Sequence, residues 1–256
     1  MSTKSHSKLN QLLSTTPSGV VLTSAWLVDQ GYSLELQKRY RQSRWYESIG
    51  TGALIRFGDV VDYLGGVYAL QTQLGLSVHP AGKTALAIQG KSHYLALAVN
   101  RAQLFAGSKE SLPHWFKKHD WGLSIDCQMS SFLPKDLGLS DYAHKGFTVK
   151  ISSPARAILE CLYLAPKYQP LVEAYELMEG LNNLRPASVQ ALLEKCSSIK
   201  VKRLFLYLAE KAGHEWLAHL SLNKIDLGSG KRAIVADGAY VPRYRITVPR
   251  ELEPHH

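Results

Sequence analysis

The order of capping and turn signals between Thr23 and Ser43 constrains the fold of this chain more than any other feature of its sequence. Thr23 is a suitable N-cap for a helix over residues 24–30, and Gly31 can supply the left-handed turn that ends this helix. Ser33 is then the expected N-cap of a further helix that runs to about Ser43. Two short helices joined by a tight turn that contains glycine are typical of a helix-turn-helix.

A β-hairpin is predicted directly after these helices. Short apolar runs stand on both sides of Gly50-Thr51-Gly52, which indicates two strands around a glycine-rich turn. A short helix over Lys8–Thr15 precedes the helix pair, and Asp59 is a suitable cap for a helix after the hairpin. This order predicts an α+β protein, with a winged helix-turn-helix domain over residues 1–77 and a larger mixed α/β domain over residues 78–256.

The third predicted helix offers a basic face that suits DNA. At about 100° per residue, Leu36 and Tyr40 fall on one face, and the broad opposite face carries the cations. Arg and Lys side chains can reach phosphates or guanine edges, and Gln can pair with adenine in the major groove. The residues predicted to contact DNA from this helix and from the hairpin are Ser33, Gln37, Lys38, Arg41, Gln42, Arg44, Thr51 and Arg56. A solvated basic helix without a ligand remains the alternative.

The basic excess of the chain is concentrated near its C-terminus. The formal net charge is +9 at pH 7, and eleven cations against four anions between Lys195 and Arg250 account for +7 of it. An excess of this size favours a polyanionic partner, nucleic acid before an acidic membrane surface. The longest apolar run is far too short to span a bilayer, so no membrane partner is expected. The further residues predicted to contact DNA are Lys200, Lys202, Arg203, Lys231, Arg232, Arg243 and Arg245.

Within this basic quarter, the stretch Gly228-Ser229-Gly230-Lys231-Arg232 resembles a loop that cradles phosphate. Ile225 stands where a P-loop has its first glycine, and Arg232 stands where it has Ser or Thr, which argues against nucleotide binding. Two interpretations stay open. The stretch is either a plain β-turn joining residues 225–227 to residues 233–235, or a loop whose cations and glycine N–H groups contact phosphates of the DNA backbone.

No catalytic, metal or cofactor site is predicted. The three cysteines are far apart and indicate neither a disulfide framework nor a zinc site, and the histidines lack metal-binding spacing. Arg156 and Glu160 lie one helical turn apart and are expected to form an ordinary exposed ion pair. The first 20 residues are polar and contain no signal peptide, so a reducing cytoplasm is the simplest compartment.

The larger domain is predicted to mix strands with a run of helices. Strands are expected over residues 94–100, 103–106 and 146–151, and a strand-like tail over residues 220–248. Helices are expected over residues 82–89, 154–165, 170–182, 186–196 and 200–212, the second of them beginning at Ser153-Pro154.

Several blocks of the sequence resemble one known family, the AbiEi-type antitoxins of bacterial abortive-infection toxin–antitoxin systems. The blocks run in order over nearly the whole chain. They are GTGALIRFGD (Gly50–Asp59), GKTALAIQGKSHYL (Gly82–Leu95), SSPARAILECL (Ser152–Leu162), KVKRLFLYLAEKAGHEWL (Lys200–Leu217) and IDLGSGKRAIVADGAYVPRYRITVP (Ile225–Pro249).

The resemblance implies a function as well as a fold. It implies a winged helix-turn-helix domain, repression of the protein's own operon through inverted repeats in the promoter, and neutralisation of a toxin with a nucleotidyltransferase fold. It also implies a basic DNA-contacting face on the larger domain, and many such systems act without a stable toxin–antitoxin complex. Two alternatives stay open: an enzyme-like antitoxin that modifies the toxin covalently, for example by phosphorylation, and a regulator of host genes without a toxin.

Overall fold

The computed structural model describes residues 3–90 and 100–253 and shows the predicted α+β fold. The chain divides into two units. The first unit consists of Met1–His79, Lys109–Ile125 and Asp141–Lys150, and the second of Pro80–Ser108, Asp126–Ser140 and Ile151–His256. The two later segments of the first unit lie beyond residue 77, and no local pattern in the sequence indicates where they fold. Within the described residues, no helix has both the length and the apolar character needed to cross a bilayer.

The beginning of the first unit is a winged helix-turn-helix. Its elements are α1 (Thr3–Thr15), β1 (Leu22–Thr23), α2 (Ser24–Asp29), α3 (Leu34–Gln42), β2 (Tyr46–Gly50), β3 (Ala53–Arg56) and α4 (Tyr63–Thr72). The three strands form an antiparallel sheet of order β1-β3-β2, in which β2 and β3 are the predicted hairpin.

Local signals place α3. Gly31 has φ +84°, a conformation that glycine adopts at no steric cost, and it lies in the predicted turn between α2 and α3. The Ser33 hydroxyl accepts a hydrogen bond from the Leu36 N–H at 3.3 Å, which confirms Ser33 as the N-cap. Thr23 precedes α2 as predicted, but its side chain makes no capping hydrogen bond.

The cap of α4 is Asp62, so the prediction that Asp59 caps this helix is wrong. Asp62 Oδ1 accepts from the N–H groups of the first turn, whereas Asp59 Oδ2 accepts from the Gly19 N–H at 2.8 Å. Asp62 Oδ2 lies 2.8 Å from His144 Nε2 and 2.9 Å from Lys145 Nζ. Burial raises the pKa of Asp62, but the hydrogen bonds from Lys145 and His144 outweigh it and hold this pKa below its ordinary value.

The rest of the described chain mixes strands and short helices as far as Ser152 and is then mainly helical as far as Lys211. The elements are β4 (His79–Pro80), α5 (Gly82–Ile88), β5 (Arg101–Ala106), α6 (His114–Lys118), β6 (Ser124–Met129), β7 (Leu139–His144), β8 (Phe147–Ser152), α7 (Pro154–Leu164), α8 (Leu171–Glu179), α9 (Pro186–Lys195), α10 (Ile199–Lys211), β9 (Arg232–Ala233), β10 (Ala239–Val241) and β11 (Ile246–Val248). Strands β4, β5 and β6 form one sheet in that order, and β7 pairs with β8. The strand predicted over residues 94–100 lies, apart from Asn100, outside the described residues.

Helix α7 lies at the centre of the second unit, and its Arg156–Glu160 pair is buried rather than exposed. The side chains are 4% and 0% exposed, with Arg156 Nε 2.8 Å from Glu160 Oε1. Glu160 Oε2 also accepts from the Gly82 N–H at 3.0 Å and from the Ser152 hydroxyl at 2.7 Å. The exposed pair was expected because i,i+4 spacing shows that two residues share a face. It does not show that α5, α8, α9 and α10 pack around this helix.

The C-terminal tail is less regular than the strand-like pattern predicts. Only three short strands form, in the order β10-β11-β9, with β10 antiparallel and β9 parallel to β11. Residues 225–227 are not a strand, and a 3₁₀ turn at Leu222–Lys224 precedes them. The Gly228–Arg232 stretch therefore does not join two strands of a hairpin.

Candidate nucleic-acid interface

The exposed face of α3 carries a dense group of cations. Lys38, Arg39, Arg41 and Arg44 are all exposed, and the first turn contributes a single carboxylate, Glu35. The polar side chain of Gln42 lies on the same exposed surface. A helix face of this kind in a helix-turn-helix suits phosphates and guanine edges in a major groove. Arg39 is also exposed, although it is not among the residues predicted to contact DNA.

Gln37 does not belong to this face, contrary to the prediction. It is 3% exposed, and its Nε2 donates to the Ser24 carbonyl at 3.1 Å and to the Tyr32 carbonyl at 2.8 Å. Because Gln37 follows Leu36 and lies three residues before Tyr40, it shares their buried side of the helix. Its amide therefore links α3 to the preceding helix and turn, and it is not available to an adenine edge.

Ser33 and Arg44 define the two ends of the basic face. The Ser33 hydroxyl is used as the N-cap of α3, so its role in the structure is to start the helix. Arg44 follows the helix in the left-handed conformation, at φ +55°, and its guanidinium carbon lies 6.0 Å from the centre of the Phe57 ring. This contact is a weak cation–π interaction with an exposed ring, and the Arg44 side chain itself remains exposed.

The hairpin contributes Thr51 but not Arg56 to the exposed surface. Thr51 is exposed in the turn between β2 and β3. Arg56 lies opposite Tyr46 in the strand register. Its Nη2 donates to the Leu13 carbonyl at 2.7 Å and to the Thr16 hydroxyl at 3.0 Å, as well as to the Thr16 carbonyl, and its Nη1 donates to the Ser18 hydroxyl at 3.2 Å. The predicted DNA contact is thus used to bind the end of α1.

Three of the cations predicted to contact DNA from the second unit are used inside it. Lys200 Nζ donates to the carbonyls of Tyr163 and Ala165 at 2.8 and 2.6 Å, which are the carbonyls at the end of α7. Burial lowers the pKa of Lys200. Lys202 is 3% exposed in α10, and Arg203 beside it is 2% exposed. The charge count placed these residues on a basic face because sequence alone does not show that most sides of α10 are covered.

The buried Arg203 side chain donates hydrogen bonds to carbonyls of the glycine-rich stretch. Its Nε donates to the Leu227 carbonyl at 2.8 Å, its Nη2 to the Gly228 carbonyl at 3.1 Å, and its Nη1 to the Gly230 carbonyl at 2.8 Å and the Arg245 carbonyl at 3.3 Å. Burial, followed by the charges of two neighbouring arginines, lowers the pKa of Arg203. The planar guanidinium has five N–H donors spread over three nitrogens and here reaches four carbonyls, whereas a lysine ammonium has three donors on a single nitrogen.

The other C-terminal cations are exposed. Lys231, Arg232 and Arg245 have no ion pair with a carboxylate in the described part of the chain. Lys231 Nζ lies 5.0 Å from the centre of the Tyr240 ring, which is 42% exposed. Arg243 is different, since it pairs with Glu210, whose other oxygen accepts from the Tyr244 hydroxyl at 2.7 Å.

The side chains exposed at these surfaces are suited to binding an anion. Across residues 3–90 and 100–253, no three His, Cys, Asp or Glu side chains are grouped so that they could hold a metal ion. The exposed groups are cations and hydroxyl or amide side chains, which donate hydrogen bonds to an anionic ligand.

Comparisons with known proteins agree with these features. Residues 99–249 match the family described as "Transcriptional regulator, AbiEi antitoxin, Type IV TA system". Residues 5–97 match the family described as "Transcriptional regulator, AbiEi antitoxin N-terminal domain". No curated protein sequence matches the chain. The fold is similar to that of the RV2827C protein from Mycobacterium tuberculosis, whose crystal structure aligns with a TM-score of 0.60 at 13% identity, over 90% of this chain and 86% of that one.

Proposed function

Because the chain belongs to the AbiEi antitoxin family of transcriptional regulators of type IV toxin–antitoxin systems, we propose that it represses its own operon by binding inverted repeats in the promoter. The α3 face, with Lys38, Arg39, Arg41 and Arg44, enters the major groove, and Thr51 in the hairpin turn contacts the adjacent backbone. The observation that carries this proposal is the exposed cationic face of α3 in a winged helix-turn-helix.

The second part of the proposal concerns the toxin. We propose that the protein neutralises a toxin of nucleotidyltransferase fold encoded beside it. Support comes from the family, whose members are antitoxins. A toxin gene in the adjacent open reading frame is the first observation to seek, and its absence would favour a regulator of host genes.

DNA binding is tested by the double variant Lys38→Ala, Arg41→Ala. Fluorescence anisotropy with a duplex from the upstream promoter, repeated over a series of salt concentrations, measures both affinity and salt slope. Loss of two phosphate contacts should lower the slope of log K against log salt by about 2. The matched control is Arg185→Ala, Lys195→Ala, which removes the same charge from exposed positions at and near the ends of α9. Equal effects in both variants would refute the assignment of α3.

Antitoxicity is measured separately by growth rescue. Cells that express the toxin are complemented with the wild-type protein or with the α3 variant, and a promoter reporter follows repression in parallel. We expect the variant to rescue growth while the reporter is derepressed. Transfer of label from a nucleoside triphosphate to the toxin would show instead that the protein acts as an enzyme on its partner.

A further inference from the structure

We infer that the segment Leu227–Arg232, here called the anchored loop, is a phosphate-binding site formed by peptide N–H groups and exposed cations, with Arg203 as its positioning residue. The inference rests on the proposed function, since the phosphates we assign to it are those of a DNA backbone. It differs from a simple basic turn because it names main-chain donors and the buried group that directs them.

The direction of the N–H groups follows from the carbonyls that Arg203 binds. In a planar trans peptide, the C=O of one residue and the N–H of the next point in opposite directions. The carbonyls of Leu227, Gly228 and Gly230 point inward to the Arg203 guanidinium. The N–H groups of Gly228, Ser229 and Lys231 therefore point away from the buried guanidinium.

Two of these three N–H groups are available to a ligand. The Gly228 N–H donates to Asp226 Oδ1 at 2.8 Å. Within the described part of the chain, the Ser229 and Lys231 N–H groups donate no hydrogen bond, and both residues are exposed. Backbone N–H groups that point outward from a turn can bind an anion, and here the two free donors are separated by Gly230. The anchored loop thus presents two free donors on the side that faces solvent.

Glycine is needed for this shape. Gly228 and Gly230 have φ +61° and +76°, in the left-handed region. A Cβ at Gly228 would also lie 3.2 Å from an Ile199 side-chain carbon, whereas a Cβ at Gly230 would meet nothing within 4 Å. Both positions need a left-handed backbone, but only at Gly228 would an added Cβ also meet a neighbouring side chain.

The charges around the anchored loop favour an anion. Lys231, Arg232 and Arg245 are exposed, and Arg203 adds a fourth positive charge beneath them. The single carboxylate of residues 226–232 is Asp226, which is exposed and occupies the Gly228 N–H. Phosphate oxygens provide the negative charge and the multiple acceptors that this arrangement can bind.

The shared chemistry is a phosphate group, and its source is the question that the experiment must answer. The first experiment follows backbone amide signals of the full-length protein by NMR, during titration with a random-sequence duplex and, separately, with inorganic phosphate. We expect the Ser229 and Lys231 amides to shift with the duplex at micromolar concentration, and the Gly228 amide to shift less. Shifts with inorganic phosphate at similar concentration would indicate a free-phosphate site and overturn the DNA assignment. Unmoved amides in both titrations would overturn the site itself.

The second experiment asks whether Arg203 supports phosphate binding by orienting the anchored loop or only by supplying positive charge. Arg203→Lys retains the charge but lacks the fork that binds four carbonyls, so the salt slope for duplex binding should fall by about 1. Lys231→Ala, Arg232→Ala should lower it by about 2, and Gly228→Ala should weaken binding more than Gly230→Ala. An Arg203→Lys protein with normal thermal unfolding and an unchanged slope would refute the positioning role.

Asp226→Asn keeps the inference testable if Arg203→Lys fails to fold. Removing the carboxylate should increase affinity for a random-sequence duplex several-fold at low salt, and equal or weaker binding would contradict the site. Comparison with Lys38→Ala, Arg41→Ala identifies which proposal has failed. If that variant loses operator binding while all changes in the anchored loop are silent, the proposed function stands and this inference falls. If the wild-type protein binds no duplex, the proposed function itself falls.

Discussion

Arg56→Ala distinguishes a structural arginine from a DNA contact within the winged helix-turn-helix. The side chain is half-buried and donates to the Leu13 carbonyl, the Thr16 carbonyl and hydroxyl, and the Ser18 hydroxyl. These acceptors lie at and just beyond the end of α1, whose last carbonyls have no partner within the helix. Truncation should therefore loosen α1 from the hairpin, in addition to any effect on DNA.

The expected cost of Arg56→Ala is about 2–3 kcal/mol. A hydrogen bond to a charged group contributes about 1.5–3 kcal/mol, but several bonds from one half-exposed guanidinium do not add, and water can reach the freed carbonyls. With a urea m-value of about 1–3 kcal/mol per M, the midpoint for the first unit should fall by about 0.7–3 M.

Tryptophan fluorescence is the natural assay, since Trp216 alone among the five tryptophans lies in the second unit. The matched control is Lys38→Ala, which removes an exposed cation of the same unit and should change stability by less than about 0.5 kcal/mol while weakening DNA binding. An Arg56→Ala protein with a normal urea midpoint and a reduced salt slope for DNA would refute the structural role and restore Arg56 to the DNA interface.

Three further predictions concern other charged groups. Arg156→Met should cost about 3–5 kcal/mol in the unfolding free energy of the second unit because Glu160 would remain buried without its cation, and replacing both residues by Met should cost less; urea unfolding of the single and double variants measures both. Glu210→Gln should free Arg243 and strengthen duplex binding at low salt, with a slope larger by about 1 in anisotropy titrations. The pKa of Asp62 is lowered on folding, so its stabilising contribution is present above the unfolded pKa of about 3.9 and is lost as the pH falls through the folded value. Urea midpoints of wild type and Asp62→Asn should therefore converge below pH 4.

The helix-turn-helix was predictable from sequence because its signals are local. Gly31 needs a left-handed conformation, Ser33 can cap only the helix that follows it, and Gly50-Thr51-Gly52 separates two apolar runs. Each signal involves residues that are close together in the sequence, so the local sequence is sufficient to determine the turn, the cap or the hairpin. The same holds for Pro154 at the first turn of α7.

Burial of polar side chains was not predictable in the same way. Periodicity shows which residues share a face of a helix but not how many faces are covered. It therefore predicted an exposed Arg156–Glu160 pair in a helix that is surrounded by others. Gln37 was assigned to the wrong face of α3 because it lies between buried Tyr40 and exposed Arg41 in angle, so its side is ambiguous until α2 is in place. Arg203 meets its acceptors 24 to 42 residues later in the chain, a distance over which no local pattern operates.

The buried cations explain why charge counting overestimates the DNA-binding surface near the C-terminus. The described part of the tail after α10 has three short strands and three 3₁₀ turns, so many of its backbone carbonyls lack partners in long regular elements. A buried arginine supplies up to five donors and can satisfy several such carbonyls together, as Arg203 does for the anchored loop. Part of the +7 charge thus belongs to buried cations that bind carbonyls of the irregular backbone. The exposed cations lie on the segment that these buried cations stabilise. It follows that charge-preserving changes should not be equivalent across this region: Lys for Arg at position 203 should disturb phosphate binding, whereas the same replacement at exposed Arg232 should preserve most of it.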